Sequence, residues 1–196
     1  MSWSAVASDD FNRANGALGA NWTKYSPATW NAFTIASNKI RPAVGANRTG
    51  MFWNALQPRS DQAVQLTLAT YGSSDGDEMG AYLRSRDTGS TFDAYYGILT
   101  KSGSNYIAQI IRVAAGSLVS LVQRNTGISA FAAGDVMRFQ ALGQQLAILI
   151  NGTPVVGITD TTWASGYAGC GGVVGIAGNM EFDDWSVLEF SAGRGF

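Results

Sequence analysis

Apolar and polar residues alternate with a period of two along almost the whole chain, and this pattern restricts the fold more than any other feature. In residues 63–71 (AVQLTLATY), Val64, Leu66 and Leu68 share one face while Gln65, Thr67 and Ala69 share the other. Residues 80–86 set Ala81 and Leu83 against Tyr82, Arg84 and Arg86, and residues 135–141 set Met137 and Phe139 against Arg138 and Gln140. Residues 95–100, 105–113 and 118–124 read as three further strands, separated by the turns KSGS and AAGS. The sharpest local signal is LAILINGTPVVGI, residues 146–158. Asn151-Gly152 supplies two residues that tolerate positive φ, as a type I′ hairpin requires. Pro154 cannot donate to a ladder, which predicts that the return strand has a solvent-facing edge there or begins at that residue. No segment keeps a 3.6-residue period over ten positions, and residues 159–169 have room for one helical turn at most. The expectation is one all-β domain of about twelve or thirteen short strands, arranged as a sandwich or a barrel.

Composition narrows the function. Net charge is −1, from 13 basic and 14 acidic residues spread along the chain, with no Lys/Arg stripe of the kind a nucleic-acid binder needs. Charged residues make up only 14% of the chain, which fits a surface covered by partners and equally fits a turn-rich β protein. The one cysteine, Cys170, excludes an internal disulfide and a thiolate zinc site. With no histidine, His-based triads and His-ligated zinc are excluded as well. No run of apolar residues approaches the ~18 that a helical membrane span requires. The opening MSWSAVASDD lacks a basic segment followed by an apolar run, so the expectation is a chain made in a reducing cytosol without a secretory signal.

Two stretches at opposite ends, DDFNRANGALGANW (9–22) and GNMEFDDWSVLEF (178–190), each pair adjacent aspartates with an aromatic residue. Together with other motifs they carry a resemblance. The residues are Asp10-Phe11-Asn12-Arg13 with Gly16, Leu18, Gly19 and Trp22, then the strand at Gly80-Ala81-Tyr82-Leu83-Arg84 and Tyr95-Tyr96. The Asn151-Gly152 hairpin, Gly175-Ile176 and Phe182-Asp183-Asp184-Trp185-Ser186-Val187 complete the series. The chain resembles the concanavalin A-like lectin/glucanase jelly roll, in the laminin-G-like form found in bacterial and bacteriophage proteins. The likeness runs from Asp9 to Phe190 and implies an all-β, two-sheet antiparallel jelly-roll sandwich over 9–190, an N-terminal arm over 1–8 and a tail over 191–196. It also implies that the first and last strands are antiparallel neighbours. The simpler account of the aspartates is then that Phe11 and Trp185 fill the core while the carboxylates cap turns. The other account, from related glucanases, is a structural calcium with Asp184 and Asp9 or Asp10 as ligands.

Retaining hydrolysis needs two carboxyl groups about 5–5.5 Å apart. The chain has only three glutamates, Glu78, Glu181 and Glu189, and Glu181-Phe182-Asp183 lacks the second glutamate of the glucanase motif. No catalysis and no cofactor beyond that calcium are therefore expected. Two non-enzymatic roles remain. The resemblance implies a bacteriophage virion component, a capsid decoration (cement) protein or other surface or tail part. It would contact other virion proteins as a homo-oligomer, a trimer in the simplest case, with Trp3 and Phe196 as anchors. The alternative is a lectin-like module that binds glycans, with Tyr82, Arg84, Arg86, Tyr95 and Trp53 as the sugar-facing residues.

Overall fold

The computed structural model describes residues 2–27, 29–42, 48–70, 72, 74–125, 128, 131–174 and 180–191. Among these there are strands and loops but no helix. One antiparallel sheet has nine strands: β1 (Ser2–Asp9), β2 (Gly16–Ala17), β4 (Thr34–Ala36), β5 (Lys39–Arg41), β7 (Gln62–Thr70), β12 (Val136–Leu142), β13 (Gln145–Ile150), β14 (Thr153–Thr159) and β16 (Glu181–Ser191). The other has seven: β3 (Trp22–Lys24), β6 (Thr49–Trp53), β8 (Glu78–Asp87), β9 (Phe92–Ser102), β10 (Asn105–Ala114), β11 (Ser117–Arg124) and β15 (Tyr167–Val173). The first runs β14-β13-β12-β7-β16-β5-β4-β2 with β1 also on β16, and the second runs β11-β10-β9-β8-β15-β6-β3. The extra strands beyond the expected number are mostly the two- and three-residue pieces β2 to β5, too short to show any periodicity.

The alternation read from the sequence places the core correctly. Val64, Leu66 and Leu68 of β7, Met137 and Phe139 of β12, and Ala81 and Leu83 of β8 all lie between the sheets and are fully buried. Each of the larger ones, Ala81 apart, contributes roughly 1.5–3 kcal/mol through burial. Phe139 fits because Gly97 faces it: a Cβ on Gly97 would stand 2.6 Å from the ring. Asn151 and Gly152 turn at φ +49° and +79°, and Pro154 lies on β14, the edge of its sheet, as expected. The expected helical turn within 159–169 is absent, because β14 and β15 take its ends and residues 160–166 between them are a loop tied down by side chains described below. Gly175-Ile176, Phe196 and most of the tail lie outside the described residues.

The expected N-terminal arm is itself sheet. β1 pairs antiparallel with β16 from Ser2↔Ser191 to Asp9↔Trp185, with a bulge at Val6. Trp3 meets Phe190 edge-on, ring centroids 5.2 Å apart. The first and last strands are thus neighbours, as the resemblance implied.

Candidate functional site

At the β1–β16 junction the aspartates serve the turn. Phe11 and Trp185 are buried, and Trp22 links them, with ring centroids 6.2 Å from Phe11 and 4.6 Å from Trp185. Asp9 accepts hydrogen bonds from the Phe11 amide (2.9 Å), Arg13 Nη1 and Nη2 (2.6 and 2.9 Å) and Trp22 Nε1 (2.9 Å). Burial raises its pKa, but these bonds and the Arg13 charge outweigh it and hold the carboxyl below its ordinary value. Both oxygens are therefore engaged by N–H donors, which leaves Asp9 a poor cation ligand. Asp10 and Asp184 are exposed, and burial followed by the Asp183 and Asp10 charges raises the Asp184 pKa. Among the described residues no group of three or more Asp, Glu, Cys or His side chains is placed to hold a metal ion. Asp9 and Asp10 thus cap the turn after β1, each accepting from the backbone amide two residues on (2.9 and 3.1 Å).

The sheet face expected to take a sugar is filled by the protein's own rings. Tyr82 is 1% exposed and stacks on Tyr96 at 4.2 Å. Tyr25 and Trp30, which follow β3, fold over this outer face of the seven-stranded sheet and reach Phe92 at 4.4 and 4.8 Å. Tyr82 points away from the main core, as its alternation requires, but into a second aromatic cluster rather than solvent. Gly171 makes room for it, since a Cβ there would lie 2.4 Å from Tyr82 Cε2. Tyr95 is also fully buried and belongs to the main core, opposite to the side expected. Neither tyrosine can stack on a ligand.

Arg84, Arg86 and Tyr95 nevertheless converge, underneath one loop. A bulge between Leu83 and Arg86 interrupts the pairing of β8 with β9, and Arg84 sits there at φ +52°. Its side chain is turned into the end of the sandwich and is 3% exposed. Nε and Nη2 donate to the Ser60 carbonyl (3.1 and 2.8 Å), Nη2 to the Gly143 carbonyl (2.7 Å) and Nη1 to the Trp163 carbonyl (2.9 Å). One guanidinium thereby joins three loops that are remote in sequence. Burial lowers its pKa, opposed by Tyr95 and Asp61. Buried Gln62 completes the clamp: its Oε1 accepts from the Arg84 amide (3.2 Å) and its Nε2 donates to the Arg59 and Gly166 carbonyls (2.9 and 3.2 Å).

The loop so held carries Trp163. The Tyr95 hydroxyl donates to Asp160 Oδ1 (2.5 Å) and accepts from the Trp163 amide (3.0 Å). Arg112 Nη1 donates to Asp160 Oδ2 (3.3 Å) and to the Thr162 hydroxyl (2.9 Å). Burial works against ionisation of Asp160, yet the bonds from Tyr95 and Thr162 and the Arg112 charge keep its pKa low. Exposed Arg86 lies over the Trp163 ring, 5.9 Å from its centroid. Beside the ring opens a cavity of about 180 Å³, lined by Ser60, Asp61, Arg84, Gln144, Asp160 and Thr161 among others. Asp61 uses Oδ1 to accept from the Gly143 amide (2.7 Å), and Oδ2 has no partner among the described residues. The cavity therefore combines an aromatic wall with an uncommitted carboxylate oxygen, an amide and hydroxyls, all on loops fixed from below.

Trp53, the remaining expected residue, lies elsewhere, half-buried against Trp185 and Trp22. Asp61, Gln144 and Asp160 were missed by the sequence reading. The only trace of them was Asp160 two residues before Thr162, an Asx-turn spacing realised as a 2.8 Å bond.

The three glutamates are all ion-paired. Glu181 is paired with Arg41 (2.6 Å), Glu78 with Arg48, and Glu189 with Arg59 (3.4 Å), so each of the three glutamates has a cationic partner. Cys170 is fully buried and burial pushes its thiol pKa well up, which keeps it unreactive.

No family model and no curated protein matches the sequence. Solved structures match by shape. The carbohydrate-binding module CBM66 from Bacillus subtilis superposes with a TM-score of 0.60 at 13% identity, over 89% of this chain and 98% of that one. The CBM2 module of the evolved Dit of Lactobacillus casei BL23 phage J-1 gives 0.64 at 11% identity, over 95% of this chain and 96% of that one. The GH43 protein BlXynB of Bacillus licheniformis gives 0.64 at 14% identity over 97% of this chain, which spans only 40% of that protein. Likeness at such identities is likeness of architecture: the chain is a concanavalin A-like two-sheet jelly roll, the fold of these carbohydrate-binding modules.

Proposed function

We propose that the protein is a non-catalytic glycan-binding module whose sugar site is the Trp163 cavity. The observation that carries this reading is the way Arg84, Gln62 and Tyr95 immobilise the loop bearing Trp163 beside unpaired polar groups. A preformed aromatic wall with a few fixed hydrogen-bonding groups is the usual make-up of a small-molecule site, and a pyranose offers an apolar ring face and a rim of hydroxyls to match it. Rigidity matters because a ligand that need not order a loop on binding loses less entropy. The whole-module likeness to CBM66 supports the same reading.

The test is a glycan array probed with the intact chain, followed by calorimetry on the best ligand with Trp163→Phe and Asp61→Asn. Each variant should weaken binding about tenfold or more, equivalent to at least ~1.4 kcal/mol. Unchanged affinity in both would remove the Trp163 cavity as the site. Release of reducing ends from a bound polysaccharide would overturn the non-catalytic assignment.

A second reading, that the module is carried on a bacteriophage particle, is favoured by the near-complete overlap with the phage J-1 Dit module. In that setting Trp3 and Phe196 are the proposed anchors to neighbouring virion proteins or to further copies of the chain. Recovery of the protein with intact particles at fixed stoichiometry is the corresponding measurement.

A further inference from the structure

We infer that the outer edge of β11 is a self-association surface, along which two copies of the chain pair antiparallel over residues 117–120 about a twofold axis at Val119. An open sheet presents unpaired backbone groups at its edges, and natural proteins shorten or bulge such edges or block them with proline or charge. Most edges of this sandwich follow that rule. β2 and β3 have two and three residues. β14 carries Pro154 and a bulge at Val155, and β1 is split by its bulge at Val6. β11 is closed only at its far end, where a bulge falls at Leu121 and Arg124 Nη1 donates to the Val155 carbonyl (2.9 Å). Before that point Ser117, Leu118, Val119 and Ser120 are all exposed, and no residue from 117 to 123 is charged or proline.

The hairpin fixes which backbone groups are open. Ala115 and Gly116 join β10 to β11 at φ +48° and +78°, as in a two-residue type I′ turn. The pairs Ala114–Ser117 and Arg112–Val119 therefore exchange hydrogen bonds, whereas Val113–Leu118 and Ile111–Ser120 between and beyond them do not. The N–H and C=O groups of Leu118 and Ser120 accordingly point away from β10, to a side on which no strand pairs among the described residues. The turn itself is anchored: the Gly116 amide donates to the Phe92 carbonyl (2.9 Å) and the Ala115 amide to Asp93 Oδ1 (2.8 Å).

This pattern matches its own image. Rotated about Val119, Leu118 of one copy faces Ser120 of the other, and both such pairs exchange N–H···O=C bonds in each direction. Leu118 and Val119 are each 41% exposed and are adjacent among the exposed large apolar residues. They project to opposite faces of the strand, so each face of the joined sheet gains an apolar contact. No like charges meet at the axis, because the charged residue across from Val119, Arg112, is held by Asp160 (3.3 Å). Self-matching register and the absence of charge select a second copy over a foreign strand. A contact of this kind closes after two copies. It buries less than about 1,000 Å² in all, which sets the dissociation constant on the order of 100 μM.

The experiment is sedimentation equilibrium of the intact chain from about 5 μM to about 1 mM, a range that brackets that constant. The mass should rise from one chain of 20.7 kDa towards two. Val119→Lys places like charges opposite each other and should raise the dissociation constant at least about tenfold, and mixing it with Val119→Glu should restore association. Ser120→Pro removes an outward amide that has no bond to β10, and should weaken pairing by a similar factor. A chain that stays monomeric at the highest concentration overturns the inference and leaves the edge to a strand of another protein. Undiminished association in either Val119→Lys or Ser120→Pro also overturns it, as does failure of the Lys and Glu variants to pair with each other. Growth beyond two copies does the same, since a twofold contact cannot propagate.

Discussion

Replacing Arg84 by lysine tests whether one buried guanidinium assembles the loop end. Lysine keeps the charge and the length of the stem but offers a compact ammonium in place of a planar fork. It cannot reach the Ser60, Gly143 and Trp163 carbonyls together, which the arginine bonds at 2.7–3.1 Å. Each buried carbonyl left without a donor costs about 1–3 kcal/mol. Water entering the adjoining cavity would satisfy some of this demand, so about 3 kcal/mol in all is the expectation rather than the full sum. For a chain of this size that corresponds to a fall in the thermal midpoint of roughly 6–12 °C. Urea unfolding and calorimetry measure it. A companion pair refines the reasoning: at φ +52°, Arg84→Gly should be more stable than Arg84→Ala by about 1 kcal/mol, because only alanine strains the left-handed backbone. Arg84→Lys within 1 kcal/mol of the wild type, or alanine no worse than glycine, would refute the clamp.

Gly171→Ala should destabilise by about 1–3 kcal/mol, since the new methyl meets the Tyr82 ring at 2.4 Å while Tyr96 stacks on that ring at 4.2 Å; chemical denaturation decides it, and a neutral effect would mean the second aromatic cluster is loosely held. Asp184→Asn should stabilise by a few tenths of a kcal/mol at neutral pH, because it removes like-charge repulsion from Asp183 and Asp10 while asparagine tolerates the φ of +43°; added salt should shrink the gain. Asp9 and Asp160 have folded pKa values below the ordinary 3.8, so their stabilisation is complete above that value and disappears as pH falls through the folded values. Asp9→Asn should accordingly flatten the acid limb of the stability–pH profile, and profiles that stay parallel below about pH 5 would contradict the sign.

The fold was legible because burial between two sheets imposes its period on the sequence. Val64, Leu66 and Leu68 or Met137 and Phe139 can be assigned to the core without coordinates, and Asn151-Gly152 announces its own turn. The junction of first and last strands was not legible from periodicity; it followed from the resemblance, and Phe11 and Trp185 are buried there. Tyr82 shows the limit of this reading. Alternation says correctly that it leaves the main core, but it cannot say whether water or Tyr25 and Trp30 wait on the other side. Arg84 shows another limit, since a bulge reverses the side on which a residue emerges and nothing in GAYLRSR marks it.

The sequence by itself therefore determined the all-β class, the faces that form the apolar interior and the lack of histidine, since local periodicity and residue type are properties of the chain. Only the tertiary structure decided which aromatic rings are open to a ligand. That depends on loops meeting across intervals such as Ser60 to Arg84 to Trp163, where carbonyls remote in sequence share one cation. Hydrogen bonds of this kind form between neighbours in space, and spacing along the chain carries no record of them.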